Sequence, residues 1–297
     1  MAAMGSTLAR RALGRQLNVL RMRAKISQAQ ASRIIGISPQ TMGRLEDGQS
    51  VRSANDLFMN ALCDAYRASE TERRMILALA HEVRVAAKHG GGWWRAFADQ
   101  IPADFDHYLD LETAATRLTA WRLTIVPGLL QTTEYRRSVI WTESPQLPTE
   151  AVEKRVELAT HRQARLEDPG FTLNVLLSKA VLLDQIGGPG VMESQLLHLV
   201  DMMDRPNVSI RVVPFDGRGH LGSVCGSFIL LDFAALPFTK LIEPSVVYVE
   251  TLTGALYLET RTDVEQYKGA VNEIARVALD ESESRRLILE TARDYGV

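Results

Sequence analysis

The chain has 297 residues, 46% of them apolar and 24% charged, which is enough for two domains with their own cores and too apolar for a disordered protein. No apolar run reaches the roughly 18 residues of a membrane span, the opening MAAMGSTLARRALGRQ turns polar too soon for a secretory signal, and two lone cysteines, Cys63 and Cys225, make neither a disulfide framework nor a CxxC metal site. A cytoplasmic protein is expected. The net charge of −2 divides unevenly: residues 1–52 carry nine bases and two acids, a net of +7, and the remainder carries 25 bases and 34 acids, a net of −9. Such asymmetry points to a basic element that meets a polyanion, the plain alternative being a basic helical face that only stays solvated.

Leu13, Leu17 and Leu20 recur at helical spacing and predict a helix over residues 7–25. Ser27 and Gln30 form a capping box for a second helix, which ends at Ile35, with Gly36 supplying a tight turn. Ser38 caps a third, Pro39 fills its first position, and Asp47-Gly48 stops it. Two short helices joined through a glycine turn make a helix-turn-helix at 27–46. On the third helix Ile37, Met42 and Leu45 are expected to face inward, leaving Gln40, Thr41 and Arg44 outward. A Gln can pair with adenine, an Arg with guanine O6 and N7, and a Thr can meet a thymine methyl, so these three are candidate base contacts. Gln28, Ser38 and Arg52 are candidate phosphate contacts. On an arbitrary helix such a trio is ordinary surface; the motif and the charge around it favour DNA.

Ala54, Leu57, Phe58, Ala61, Leu62 and Ala65 predict a fourth helix, and Ser69-x-x-Glu72 opens a fifth containing Ile76, Leu79, Ala80 and Val83. Residues 1–88 thus read as an all-α domain of five helices, 89–92 as a glycine hinge, and 93–297 as a mixed α+β domain. In that body, helices are expected over 93–117, 132–141, 148–167, 191–204, 261–279 and 281–294. Strands are expected over 118–126, Phe171–Leu177, Val208–Val213, Gly226–Phe233, and a hairpin of Val246–Thr251 with Ala255–Thr260. Its histidines (His107, His161, His198, His220) lack metal spacing, and no phosphate-binding glycine loop is present. Glu112, Asp232, Glu250 and Glu259 read equally well as converging carboxylates or as solvated strand faces, while Trp93, Trp94 and Trp121 read as core. No catalytic set, cofactor or metal is expected, and the chain is read as a non-enzyme.

The string SQAQASRIIGISPQTMGRLEDG resembles the DNA-binding segment of the phage-repressor-like (xenobiotic-response-element, or Cro/C1) family, with Ala31 where Leu is usual and Ser32 where Ala is usual. Arg21 and Glu46 match the family positions of an internal ion pair. The segments GWWRAFADQIPADFDHYLDLETAATRLTAW, VPGLLQTTEYRRSVI, DRPNVSIRVVPF, GSFILLDF and VVYVETLTGALYLE resemble the C-terminal domain of actinomycete antitoxin-like transcriptional regulators, often encoded beside a small acidic protein of the BldB type. The resemblance implies a sequence-specific DNA-binding regulator that acts as a homodimer on double-stranded DNA. Its C-terminal domain would serve dimerisation and the response to a partner or effector. A small-molecule sensor, with a ligand pocket in the C-terminal domain, stays open as the alternative, and an enzyme fused to a DNA-binding head stands behind it.

Overall fold

The computed structural model describes residues 6–49, 54–88, 94, 97, 105–217 and 219–296; the expected hinge at 89–92, Arg52 and Trp93 lie outside them. The chain parts into two compact units. One comprises Met1–Arg95, Leu109–Ala114 and Phe233–Glu243, the other Ala96–Tyr108, Ala115–Asp232 and Pro244–Val297.

The first unit is built on α1 (Ser6–Arg23), α2 (Gln28–Ile34), α3 (Pro39–Glu46), α4 (Asp56–Ala65) and α5 (Glu70–Lys88). The leucine stripe of α1 is buried with Met42, Leu45, Met59, Leu62, Ile76 and Leu79, so the helical period of the apolar residues becomes one shared core. The caps form as the residue types dictate. Ser27 Oγ accepts from the Gln30 amide while Gln30 Oε1 accepts from the Ser27 amide, and Gly36 turns the chain at φ +69°. Helix α1 packs on α3 and α5, and a Cβ on Gly14 would stand 2.6 Å from the Leu45 carbonyl oxygen. Only glycine allows α1 to cross the end of α3 at that distance. Two later segments join this unit: Glu82 of α5 accepts the backbone amides of Phe238 and Thr239, each at 2.7 Å, and Glu243 is buried against Arg11 and Arg15.

The second unit is a six-stranded sheet with helices. Its strands are β1 (Ala115–Arg122), β2 (Thr172–Ser178), β3 (Val208–Val213), β4 (Phe228–Phe233), β5 (Val246–Thr251) and β6 (Gly254–Leu258), in the order β3-β2-β1-β4-β5-β6. β1, β2 and β3 run parallel, and β4, β5 and β6 run antiparallel. The crossover from β1 to β2 carries α7 (Thr133–Glu143) and α8 (Thr149–Gln163), and that from β2 to β3 carries α9 (Ala180–Leu183) and α10 (Pro189–Met202). The chain closes with α11 (Arg261–Val277) and α12 (Glu281–Tyr295).

One expectation is corrected here. The helix read over 93–117 ends, as α6 (Phe105–Ala114), before the strand, and the strand occupies 115–122 rather than 118–126. The cause is that β1 is an interior strand whose Ala115, Leu118, Thr119, Ala120 and Trp121 are all buried. A strand covered on both faces loses the alternation by which strands are recognised. Trp121 sits in the core with Leu176, Val213, Phe228, Val264 and Ile274, and its Nε1–H donates to the Gly222 carbonyl at 3.2 Å. Arg211 of β3 donates to the carbonyls of Ala275, Ala278 and Leu279, supplying the end of α11 with the donors that its last turn lacks.

Candidate nucleic-acid interface

The angle between α2 and α3 is held from behind. Arg21 of α1 donates through Nε and Nη2 to the two Glu46 oxygens at 2.6 and 2.7 Å, and through Nη1 to the Ile26 carbonyl at 2.9 Å. Asn18 and Gln28 donate to the same carboxylate at 3.0 and 2.9 Å. Both members of the ion pair are buried, Arg21 at 6% and Glu46 at 7% exposure. Burial alone would raise the Glu46 carboxyl, but the bonds from Arg21 and Gln28 outweigh it and hold the group below the usual carboxylate range. One carboxylate therefore ties three side chains from α1 and α2 to the last turn of α3, and a fork-to-fork pair is the geometry that specifies orientation as well as attraction.

The outer face of α3 is open. Gln40 and Arg44, one turn apart, are exposed, as is Ser38, while Thr41 is half-buried. Ser38 Oγ accepts from the Thr41 amide at 3.1 Å and lies 2.8 Å from Thr41 Oγ1, so the cap and the Thr41 hydroxyl orient each other. Met42 and Leu45 are buried behind them and Ile37 is half-buried. The Gln28 amide nitrogen is engaged by Glu46, and its side chain lies over Gly43, where an added Cβ would stand 3.8 Å from Gln28 Oε1. Arg52 lies outside the described residues.

The bases of the segment fall into two groups. Arg10, Arg11, Arg15, Arg21 and Arg23 pair with Asp110, Glu243, Glu243, Glu46 and Glu72 respectively. Lys25, Arg33 and Arg44 are exposed and enter no ion pair among the described residues. Sequence reasoning missed Asn18 and Gln28 as members of the buried network. Asn18 was within reach of it, since it precedes Arg21 by three residues on the same helix face.

Comparison with known proteins adds two matches: a helix-turn-helix domain over residues 12–75, and a domain of unknown function, DUF5753, over residues 105–290. Neither a curated protein nor a solved structure matches the chain. The helix-turn-helix match covers the buried ion pair and the open face of α3 together, and supports a DNA-binding regulator. The second match spans more than half of the chain, and the protein accordingly belongs to the DUF5753 family, with a helix-turn-helix domain at its head.

Proposed function

We propose that the protein is a sequence-specific transcription regulator in which Gln40, Thr41 and Arg44 read base edges from the major groove, with Ser38, the start of α2 at Gln28, and Arg52 on the phosphates. The observation that carries this is the pairing of an open, uncharged-to-basic face on α3 with a back face fixed by the buried Arg21–Glu46 pair. Base readout needs donors held in place, and an Arg or Gln one turn apart on a locked helix can each engage one base pair bidentately. The protein binds its operator as a homodimer in the cytoplasm, with half-sites about one helical turn, 34–36 Å, apart. The DUF5753 region acts in regulation rather than catalysis, through dimerisation and through a small acidic partner of the BldB type; this part rests on the resemblance of its sequence segments.

The test is selection of an operator from a random DNA library, followed by titrations with Gln40→Ala and Arg44→Ala. Each is expected to weaken the selected site by about 1–3 kcal/mol and to relax preference at one position. Unchanged selectivity in both variants overturns the assignment of base readout. A protein that stays monomeric on its operator in sedimentation overturns the dimer.

A further inference from the structure

Helix α11 covers only part of one face of the six-stranded sheet. Its first turn buries Val264 in the core with Val247 of β5, and its last turns lie where Ile274 and Val277 meet Gly222 and Gly217, beyond the ends of β1 and β3. The helix therefore crosses the sheet obliquely and leaves a corner of that face, at the β5–β6 turn, without cover. Val249 and Leu256 stand directly opposite each other there, and so on the same face. Val249 is packed against the core with Cys225 and Tyr267, whereas Leu256 is about half exposed. Ile229 of β4 faces Tyr248 of β5, so the chain entering β4 and the β5–β6 turn lie at the same end of the sheet. At that end Val224 is 80% exposed, Leu252 is fully exposed, and Leu221, on the short turn Leu221–Ser223, is about half exposed. Gly222 of that turn lies against Ile274, which puts it on the α11 side.

We propose that two copies of the chain pair about a two-fold axis through this corner, with Val224 and Leu252 at the centre and Leu221 and Leu256 around them. The inference rests on the dimer reading above and gives the dimer a place in the DUF5753 region. The four side chains present roughly 500 Å² of apolar surface, the upper range for one patch on a monomer and more than half of the ~800 Å² that each partner gives to a stable interface. The charge pattern selects the occupant. Residues 219–231 and 251–258 contain no Asp, Glu, Lys or Arg, in a chain that is 24% charged. A duplex, or a protein recognised by its charge, finds nothing to pair with there. A lipid surface is met by basic and Trp-bearing rims, and these segments hold no Lys, Arg or Trp. A two-fold contact sets residues near the axis against their own equivalents, so a charge there would meet its like, and a charge-free centre avoids that repulsion. The exposed Ser223, Thr251 and Thr253 supply a polar rim.

The experiment uses the full chain in sedimentation equilibrium over a dilution series, with and without the selected operator. The unaltered chain is expected to be dimeric, and Val224→Glu and Leu252→Glu are each expected to raise the dimer dissociation constant tenfold or more. Both side chains are exposed, so the melting temperature of the fully dissociated protein should be the same in variants and unaltered chain. Leu57→Glu, at an exposed apolar position of the head, should leave the dimer intact. Hydrogen exchange should slow on association across residues 221–226 and 249–256. A dimer that survives the Val224→Glu, Leu252→Glu double variant, or that is lost in Leu57→Glu instead, overturns this interface while the dimer reading stands. A chain that stays monomeric even on its operator overturns that reading and the interface with it. A monomer that floats with phosphatidylcholine vesicles assigns the corner to lipid and overturns the second copy as its occupant.

Discussion

Two glycines lie inside helices of the DNA-binding head, and the same substitution should act on them with opposite signs. Relative to alanine, a glycine in a helix interior costs about 0.5–1 kcal/mol, because the unfolded chain loses more freedom on folding. At Gly43 a new Cβ meets nothing nearer than the Gln28 amide, 3.8 and 3.9 Å away, which is ordinary contact. Gly43→Ala should therefore recover most of that amount and stabilise the head by about 0.5–1 kcal/mol. At Gly14 the same propensity gain is opposed by a Cβ placed 2.6 Å from the Leu45 carbonyl oxygen and closer still to that of Glu46. Both obstacles are backbone and cannot rotate away, so α1 must lift from α3, and overpacking of this kind costs about 1–3 kcal/mol. Gly14→Ala should be destabilising on balance and should loosen the Arg21–Glu46 lock. Urea unfolding followed by helical circular dichroism gives the two signs, and hydrogen exchange across residues 18–46 gives their location. If both variants shift stability in the same direction, the packing argument fails.

The buried pair offers a second check. Glu46→Leu leaves Arg21 charged and enclosed and should cost about 3–5 kcal/mol, while adding Arg21→Met should recover much of it; denaturant midpoints of Glu46→Leu, Arg21→Met and the double variant form the cycle. Acid should weaken the head in a defined window. Glu46 is held below its ordinary value, and Glu72 is pulled to about 2 by the Arg23 side chain and the Ser69 amide. Since both folded values are depressed, the stabilisation is complete above the unfolded carboxylate range near pH 4.5 and is lost as pH falls through the folded values, which a pH series of melts would show as a plateau from about pH 5 upward. In operator titrations against salt, Lys25, Arg33 and the proposed Arg52 contact supply three phosphate contacts per head and a slope of log K of about −2.7 for each, by about −0.9 per contact. In the second unit, a Cβ on Gly222 would stand 2.9 Å from Trp121 Cε2 and from Ile274 Cγ1, so Gly222→Ala should lower the melting temperature of that unit by overpacking of about 1–3 kcal/mol.

The head was legible because its signals are local. The Ser27–Gln30 box, the Ser38 cap, the Gly36 turn and the leucine stripe of α1 each involve residues within a turn of one another, and each stands in the structure where the spacing put it. The body was legible where strands keep one wet face or a tight turn, as in the β5–β6 hairpin. β1 was shifted because an interior parallel strand has no wet face to read. The close crossing at Gly14 was not legible at all, since its cause is the carbonyl of a residue 31 positions away. Nor were the partners of α1: Asp110 and Glu243 reach Arg10, Arg11 and Arg15 from segments that the chain order assigns to the body.

That neutralisation alters the meaning of the charge count. A segment with a net of +7 invites the picture of a head coated in phosphate-binding charge, yet five of its nine bases are matched by acids within the same unit. Helix α1 is basic for the sake of its own unit, and the charge facing outward reduces to Lys25, Arg33 and Arg44 among the described residues. With Arg44 on a base edge, Lys25, Arg33 and the proposed Arg52 contact remain for the phosphates, and three such contacts sustain only weak, salt-sensitive attachment, because affinity at physiological salt rises with the number of phosphates neutralised. Base readout by Gln40 and Arg44 adds about 1–3 kcal/mol each, still short of the 10⁻⁸–10⁻¹¹ M or so at which specific sites are held. Two heads on one duplex double the phosphate contacts and the base contacts together, so the shortage of free charge on one head is itself an argument for pairing. It also fixes what a measurement should return: a salt slope of about −2.7 means one head engaged, and one of about −5.4 means two.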